Sequence, residues 1–343
     1  MDSASLHARA YVADGHADSL MWNRDLLTCS KSGHVDVPRL KEAGVDLQCF
    51  TVVTRGYPWV NGFDAFCRYR GWPLHARRSD WARCTWQLDR MAEFCRESKG
   101  AVSLTTRRDD LDRNFDAGTL SAVLGIEGGH CLEGQVDRVA ELVRRGVTFM
   151  GLTHLSNNDL GGSSFPLMGD KPLTPKGHEV LEAMASAGMA VDVAHASRAS
   201  LSDMLAHPKV RLLSSHTGVE GAHRSWRNLP DDALATIADR GGVVGIIFAP
   251  TYLGGRGFDA VVRHIEHAVR VMGEDSVGFG SDFDGMVPLP RGMHDVRDLP
   301  KLTDVLLSRG LSTGQVEKIA GGNFRRFFGE LLPSQSISGL SAA

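Results

Sequence analysis

Nowhere in the 343 residues does an apolar run approach the roughly 20 residues needed to cross a bilayer. The first residues, MDSASLH, lack the charged stretch followed by an apolar stretch that marks an exported chain. The expectation is a cytoplasmic protein without a membrane anchor. Charge of one sign is also missing. Lys and Arg number 38 against 41 Asp and Glu, a net charge of -3. They form no basic stripe, which argues against nucleic acid or an anionic membrane as partner. Six cysteines (Cys29, Cys49, Cys67, Cys84, Cys95, Cys131) include no Cys-x-x-Cys pair. Without an export signal, reduced thiols are the default. There is no low-complexity linker and no internal repeat, and with 42% hydrophobic residues the chain can bury a large core.

What the chain does contain is a rhythm. Eight short apolar runs recur: 11–16, 45–53, 121–127, 148–154, 189–195, 210–216, 242–248 and 276–282. Amphipathic helical patterns lie between most of them, at 81–95, 134–145, 176–187, 197–206, 230–240 and 258–272, followed by 299–308 and 313–328. Pro175 is a helix-entry signal. Buried parallel strands read as continuous apolar runs, and helices alternate with them. Eight such units predict a (β/α)8 TIM barrel, an α/β fold, as one catalytic domain over 1–333. Residues 334–343, rich in Ser, Gly and Ala, read as a fraying tail. The segment 55–80, with Trp59, Tyr69 and Trp72, reads as an irregular inserted loop over one end of the barrel.

In such a barrel the chemistry sits at the C-terminal ends of the strands. The first run ends with His16 and Asp18, two residues apart and therefore on one face of a strand. The third ends with Glu127, the fourth with His154, the fifth with His195, the sixth with His216 and the eighth with Asp282. Burying four histidines and three carboxylates on one rim is costly unless a cation neutralises them. That donor set exceeds one tetrahedral site, and a glutamate can bridge two ions with its two oxygens. Two ions roughly 3.5–4 Å apart can hold a hydroxide and polarise a substrate oxygen, which implies hydrolysis of an amide, ester or similar bond.

Taken together, Asp14–Asp18 (DGHAD), Gly125–His130 (GIEGGH), Leu152–His154 (LTH), Val193–His195 (VAH), Ser215–His216, Arg227–Pro230 (RNLP) and Gly280–Gly285 (GSDFDG) resemble the membrane (renal) dipeptidase family, peptidase family M19 of the amidohydrolase superfamily. The motifs run in order from about residue 10 to about residue 328. The resemblance implies a binuclear zinc metalloprotease. His16 and Asp18 would hold one zinc, His195 and His216 the other, and Glu127 would bridge them. It implies that His154 hydrogen-bonds the polarised substrate carbonyl, and that Asp282 shuttles a proton from the metal-bridging hydroxide to the leaving amine. Arg227 would grip the C-terminal carboxylate of a small dipeptide, a task suited to a guanidinium fork. Tyr252 would contact substrate. L-Xaa-D-Xaa dipeptides are among the implied substrates, and a homodimer is the implied assembly.

Blander readings stand beside these. Arg227 has Asp231 and Asp232 as alternative ion-pair partners. Asp284 reads as a loop-capping residue and Asp14 as an organiser of the strand-one turn. His130, His223 and His294 read as bystanders near the rim, and His264 and His267 as surface residues of a helix. The alternative activity is hydrolysis of N-acyl-D-amino acids or another amidohydrolase substrate, although Glu127 and a strand-four His154 disfavour the branches bridged by a carboxylated lysine. A non-catalytic peptide-binding barrel is the remaining alternative.

Overall fold

The computed structural model describes residues 2–56 and 62–334. Trp59 and residues 335–343 of the expected tail lie outside them. Among the described residues nine strands occur: β1 Ala13–Ala17, β2 Leu47–Val53, β3 Val102–Leu104, β4 Leu120–Glu127, β5 Val147–Gly151, β6 Ala190–Asp192, β7 Leu212–Thr217, β8 Val243–Ile246 and β9 Val277–Phe279. Eight of them close a parallel ring in the order β1-β2-β4-β5-β6-β7-β8-β9, with β9 returning to β1 through Asp14↔Phe279. Helices pack around it, so the protein is a (β/α)8 barrel. Each barrel strand coincides with one of the eight apolar runs.

β3 was not expected. It pairs with the start of β4 (Val102↔Leu120), on the opposite side from β2 and ahead of β5. Three residues, two of them only partly buried, leave no readable apolar run. The inserted segment is more regular than its sequence suggests, since Gly62–Tyr69 is helical and Leu74–Arg77 forms a 3-10 turn. The pattern at 313–328 is not one helix either. Thr313–Glu317 and Asn323–Leu331 flank a wide turn at Lys318–Gly322, where Gly321 departs from helical geometry. An added Cβ there would fall 2.3 Å from the Tyr11 carbonyl oxygen, so the close approach of two backbones requires glycine.

Helix Asn323–Leu331 closes the N-terminal end of the barrel. Phe324, Phe327 and Phe328, all fully buried, pack with Phe149, Tyr11, Leu47, Val123 and Leu213 into a floor. Each such phenylalanine removes enough apolar surface to be worth about 2–3 kcal/mol. Local signals set the helix limits. Thr174 caps helix Pro175–Ala187 by accepting from the Gly177 amide, Pro175 occupies the first turn, and Gly188 ends it in the left-handed region at φ 72°. No helix among the described residues is long and apolar enough to cross a membrane.

Candidate metal centre

The floor seals one end of the barrel, and the opposite rim gathers the ionisable residues. Glu127 is the last residue of β4. His16 lies within β1, Asp18 directly after it, and His216 within β7. His154, His195 and Asp282 each sit three residues beyond the end of their strand. Two of these three have left-handed backbones, His195 at φ 64° and Asp282 at φ 62°. Non-glycine residues rarely adopt that conformation, at a cost of about 1 kcal/mol or more.

Irregular pairing aims two further ligand candidates. The register of β1 against β2 shifts by one between Asp14 and Ala17, which puts His16 in a bulge. β7 against β8 shifts between Ser214 and Thr217, around Ser215 and His216. Bulges commonly re-aim side chains beside functional sites.

The result is a convergence on one atom. Glu127 Oε1 lies 2.9 Å from His195 Nε2, 3.4 Å from His216 Nε2, 3.5 Å from His154 Nε2 and 3.7 Å from His16 Nε2. Glu127 Oε2 is buried and has no hydrogen-bond partner. His195 Nε2 and His216 Nε2 face each other at 3.1 Å. Three of the four far nitrogens have partners: His154 Nδ1 donates to the Arg55 carbonyl at 2.8 Å, and His16 and His216 Nδ1 meet Ser215 Oγ at 2.9 and 3.0 Å, while His195 Nδ1 is buried without one. In the neutral rings those contacts turn Nε2 lone pairs into a buried pocket beside an orphaned carboxylate oxygen. This donor chemistry fits cations. Among the described residues three groups have ligand atoms mutually within 4.8 Å: His16–Glu127–His216, Glu127–His154–His195 and His16–Asp18–Asp282.

The electrostatics agree. Burial, with Asp18 beside it, pushes the Glu127 carboxyl well above its ordinary range. Burial opposes protonation of His16, but the Glu127 and Asp18 carboxylates more than offset this and raise it to about 10. His195 and His216 are held well below the ordinary value, by burial first and then by the neighbouring cations Arg227 and His16. Burial, reinforced by Asp18, raises Asp282 to about 7. Burial disfavours the charged form of every group here, and only His16, beside two carboxylates, is drawn toward its cation.

A cavity above this cluster is lined by Asp18, Glu127, His154, His195, Arg227, Tyr252 and Asp282. His16 and His216 lie just beneath, fully buried. All nine residues singled out from the sequence therefore share one site. A second cleft of about 420 Å³ adjoins it, and His195 and Arg227 line both. Arg227 pairs with neither Asp231 nor Asp232. Its Nη2 donates to the His216 carbonyl at 2.9 Å and to His216 Nε2 at 2.7 Å, while its Nε has no partner. Asp231 instead meets His267. Tyr252 stands at the end of helix Pro250–Leu253, its ring 5.4 Å from that of Trp226.

Several supporting residues escaped the sequence reading. Thr51, on a strand without a ligand candidate, donates to Asp18 Oδ1 at 2.6 Å. Asp192 Oδ1 accepts from the Ala194 and Ser215 amides, both at 3.0 Å, and so joins the ends of β6 and β7. Asp14 does not organise a turn. It accepts from the Ser281 amide and hydroxyl and from Gln48 Nε2, each at 2.7 Å, and ties β1 to its two neighbours. Asp284 holds loops together through Ser19, the His34 amide and Arg24. His130 is buried against Ser156, and exposed His223 and His294 stay outside the cluster. His264 is fully buried rather than on the surface, with Nδ1 accepting from the Val219 amide at 2.9 Å.

A parallel barrel carrying a histidine–carboxylate cluster on its C-terminal rim defines a metal-dependent hydrolase. Comparison with known proteins narrows the class. Residues 2–335 match the model of the membrane dipeptidase family (peptidase family M19). The chain belongs to this family of metallo-dipeptidases. It is 29% identical over 331 residues to the dipeptidase tcpJ of Claviceps purpurea, covering 94% of this chain and 74% of that one. Among solved structures, a metallo peptidase from Rhodobacter sphaeroides, liganded with a phosphinate mimic of the dipeptide L-Ala-D-Ala, superposes with a TM-score of 0.82 at 23% identity, over 94% of this chain and 99% of that chain. The probable dipeptidase PvdM from Pseudomonas aeruginosa gives a TM-score of 0.82 at 20% identity, over 96% of this chain and 97% of its own. At these identities the two structures bear on the fold.

Proposed function

We propose that the protein is a zinc-dependent dipeptidase holding two ions, with His16 and Asp18 on one, His195 and His216 on the other, and Glu127 shared. The observation that carries this is the convergence of four Nε2 atoms within 3.7 Å of Glu127 Oε1. Bound zinc supplies an activated water and a Lewis acid for the scissile carbonyl.

The remaining work falls to side chains. Asp282, raised to about 7, is poised both to accept a proton from the attacking water and to return it to the leaving nitrogen. His154 faces the scissile carbonyl in this reading. Its Nδ1–H is committed to the Arg55 carbonyl, so donation from Nε2 needs a second proton. Burial holds His154 down to about 4 and makes that form favourable only against a developing negative charge. Arg227 offers its guanidinium to the C-terminal carboxylate, and Tyr252 lines the same wall. A pocket that holds both ends of a two-residue substrate excludes longer peptides. Recognition through the termini leaves the configuration of the second Cα to the surrounding loops, so L-Xaa-D-Xaa substrates belong to the same proposal.

The test is turnover by zinc-loaded protein of paired L-Ala-L-Xaa and L-Ala-D-Xaa dipeptides, beside N-acetyl-D-Xaa and a chelator-treated blank. Metal-dependent cleavage of dipeptides with a free amine is expected. Cleavage of the acylated control alone, or of nothing, would overturn the reading.

A further inference from the structure

We propose that Ser215 is a positioning residue that sets the tautomer of one ligand from each of the two metal positions, so that both ions depend on a single hydroxyl. The inference rests on the binuclear reading above, with His16 and His216 on different ions. Ser215 Oγ lies 2.9 Å from His16 Nδ1 and 3.0 Å from His216 Nδ1. A hydroxyl oxygen has two lone pairs and can accept from both rings at once.

The direction of these bonds follows from the other side of the rings. Arg227 Nη2, a donor only, lies 2.7 Å from His216 Nε2. That nitrogen therefore carries a lone pair, and in the neutral ring the proton is on Nδ1, facing Ser215. For His16, Nε2 turns toward Glu127 Oε1 and Asp18 Oδ1, at 3.7 and 3.5 Å, and a cation held among these oxygens would require the lone pair on Nε2 and so the proton on Nδ1, facing Ser215. The two rings lie with centroids 3.7 Å apart, close enough for one atom to serve both.

The backbone explains how consecutive residues can both face the site. In a regular strand Ser215 and His216 would point to opposite faces. The register shift of β7 between Ser214 and Thr217 breaks the alternation and brings Ser215 Oγ beside the ring of its own neighbour. Asp192 pins this distortion by accepting from the Ser215 amide. The arrangement differs from the usual one, in which each metal-binding histidine has its own acceptor. Here the loss of one hydroxyl unsettles two rings and both metal positions together.

Stepwise zinc titration against a competing chromophoric chelator, with metal content measured after dialysis, provides the test. Wild type, Ser215→Ala, the near-isosteric weak acceptor Ser215→Cys, and Ser214→Ala are compared. Ser214 supplies the control because its hydroxyl is buried in the same strand without a partner. Wild type is expected to bind two ions. Ser215→Ala should lower the affinity for both, each by about 10–100-fold, with Ser215→Cys between and Ser214→Ala unchanged. If wild type does not bind two ions, the binuclear reading fails before Ser215 is at issue. If wild type binds two and Ser215→Ala weakens one or neither, or Ser214→Ala weakens them equally, the inference about Ser215 is overturned. Should Ser215→Ala not fold, Ser215→Cys decides between the same outcomes.

Discussion

Replacing Asp282 with asparagine keeps the shape of the side chain and removes its ability to exchange a proton. Burial raises this carboxyl from 3.8 to about 7. That rise corresponds to roughly 4 kcal/mol between its two protonation states. A raised carboxyl stabilises the fold fully below its unfolded value near 3.8, and that contribution is lost as pH rises through about 7. In metal-free protein, Asp282→Asn should therefore gain stability relative to wild type as pH increases. Between pH 5.5 and 8.5 the remaining part of the window amounts to about 2 kcal/mol. Urea unfolding of the two metal-free proteins at both pH values reads this difference directly. In zinc-loaded protein the same substitution should lower kcat by about 10²–10⁴-fold, the usual worth of a positioned acid–base, with both ions retained. The metal assay discriminates because Asp282 has an oxygen within 4.8 Å of His16 and Asp18 ligand atoms. If zinc content fell in step with turnover, Asp282 would be a ligand and the proton-shuttle assignment would fail. A pH-independent stability difference would refute the electrostatic argument.

Arg227→Lys should weaken selection for a free C-terminal carboxylate. Wild type is expected to prefer a dipeptide over its C-terminal amide, and the variant should lose about 10–100-fold of that preference in kcat/KM, mainly through KM. Equal losses on acid and amide would assign Arg227 to structure alone, through its bonds to His216. Gly285→Ala would place a Cβ 1.8 Å from Asp282 Oδ1 and so displace the carboxylate. Turnover should fall by about 100-fold, a typical cost of an ångström-scale misplacement, while the melting temperature changes little. Near-wild-type turnover would show that Asp282 acts from a position this contact does not determine.

The barrel was legible because its strands are buried on both faces and appear as apolar runs, and because function sits where those runs end. His154, His195 and Asp282 show how far that reading reaches. Each closes its apolar run, but each lies three residues past the end of its strand, and His195 and Asp282 adopt left-handed backbones that no propensity discloses. His264 was misread although a signal was present. Val261, His264, Ala268 and Met272 follow helical spacing along the apolar stripe of helix Phe258–Met272, and all four are buried. Ser215 and Thr51 were not legible, because hydroxyl residues within apolar runs look alike until register and bulges decide which way they point. Asp14 was misassigned for a related reason. Its partners are Gln48 in β2 and Ser281 just past the end of β9, and Ser281 is brought alongside only when the ring closes.

The left-handed backbones at His195 and Asp282 carry a consequence for how this sequence can drift. Glycine or asparagine at either position would sit more comfortably on the same backbone. Neutral change that improved folding would therefore tend to erase the two side chains, and selection on the reaction must oppose it continually. In a lineage released from that selection, these rim positions should be among the first to decay, with the barrel growing more stable as the site is lost.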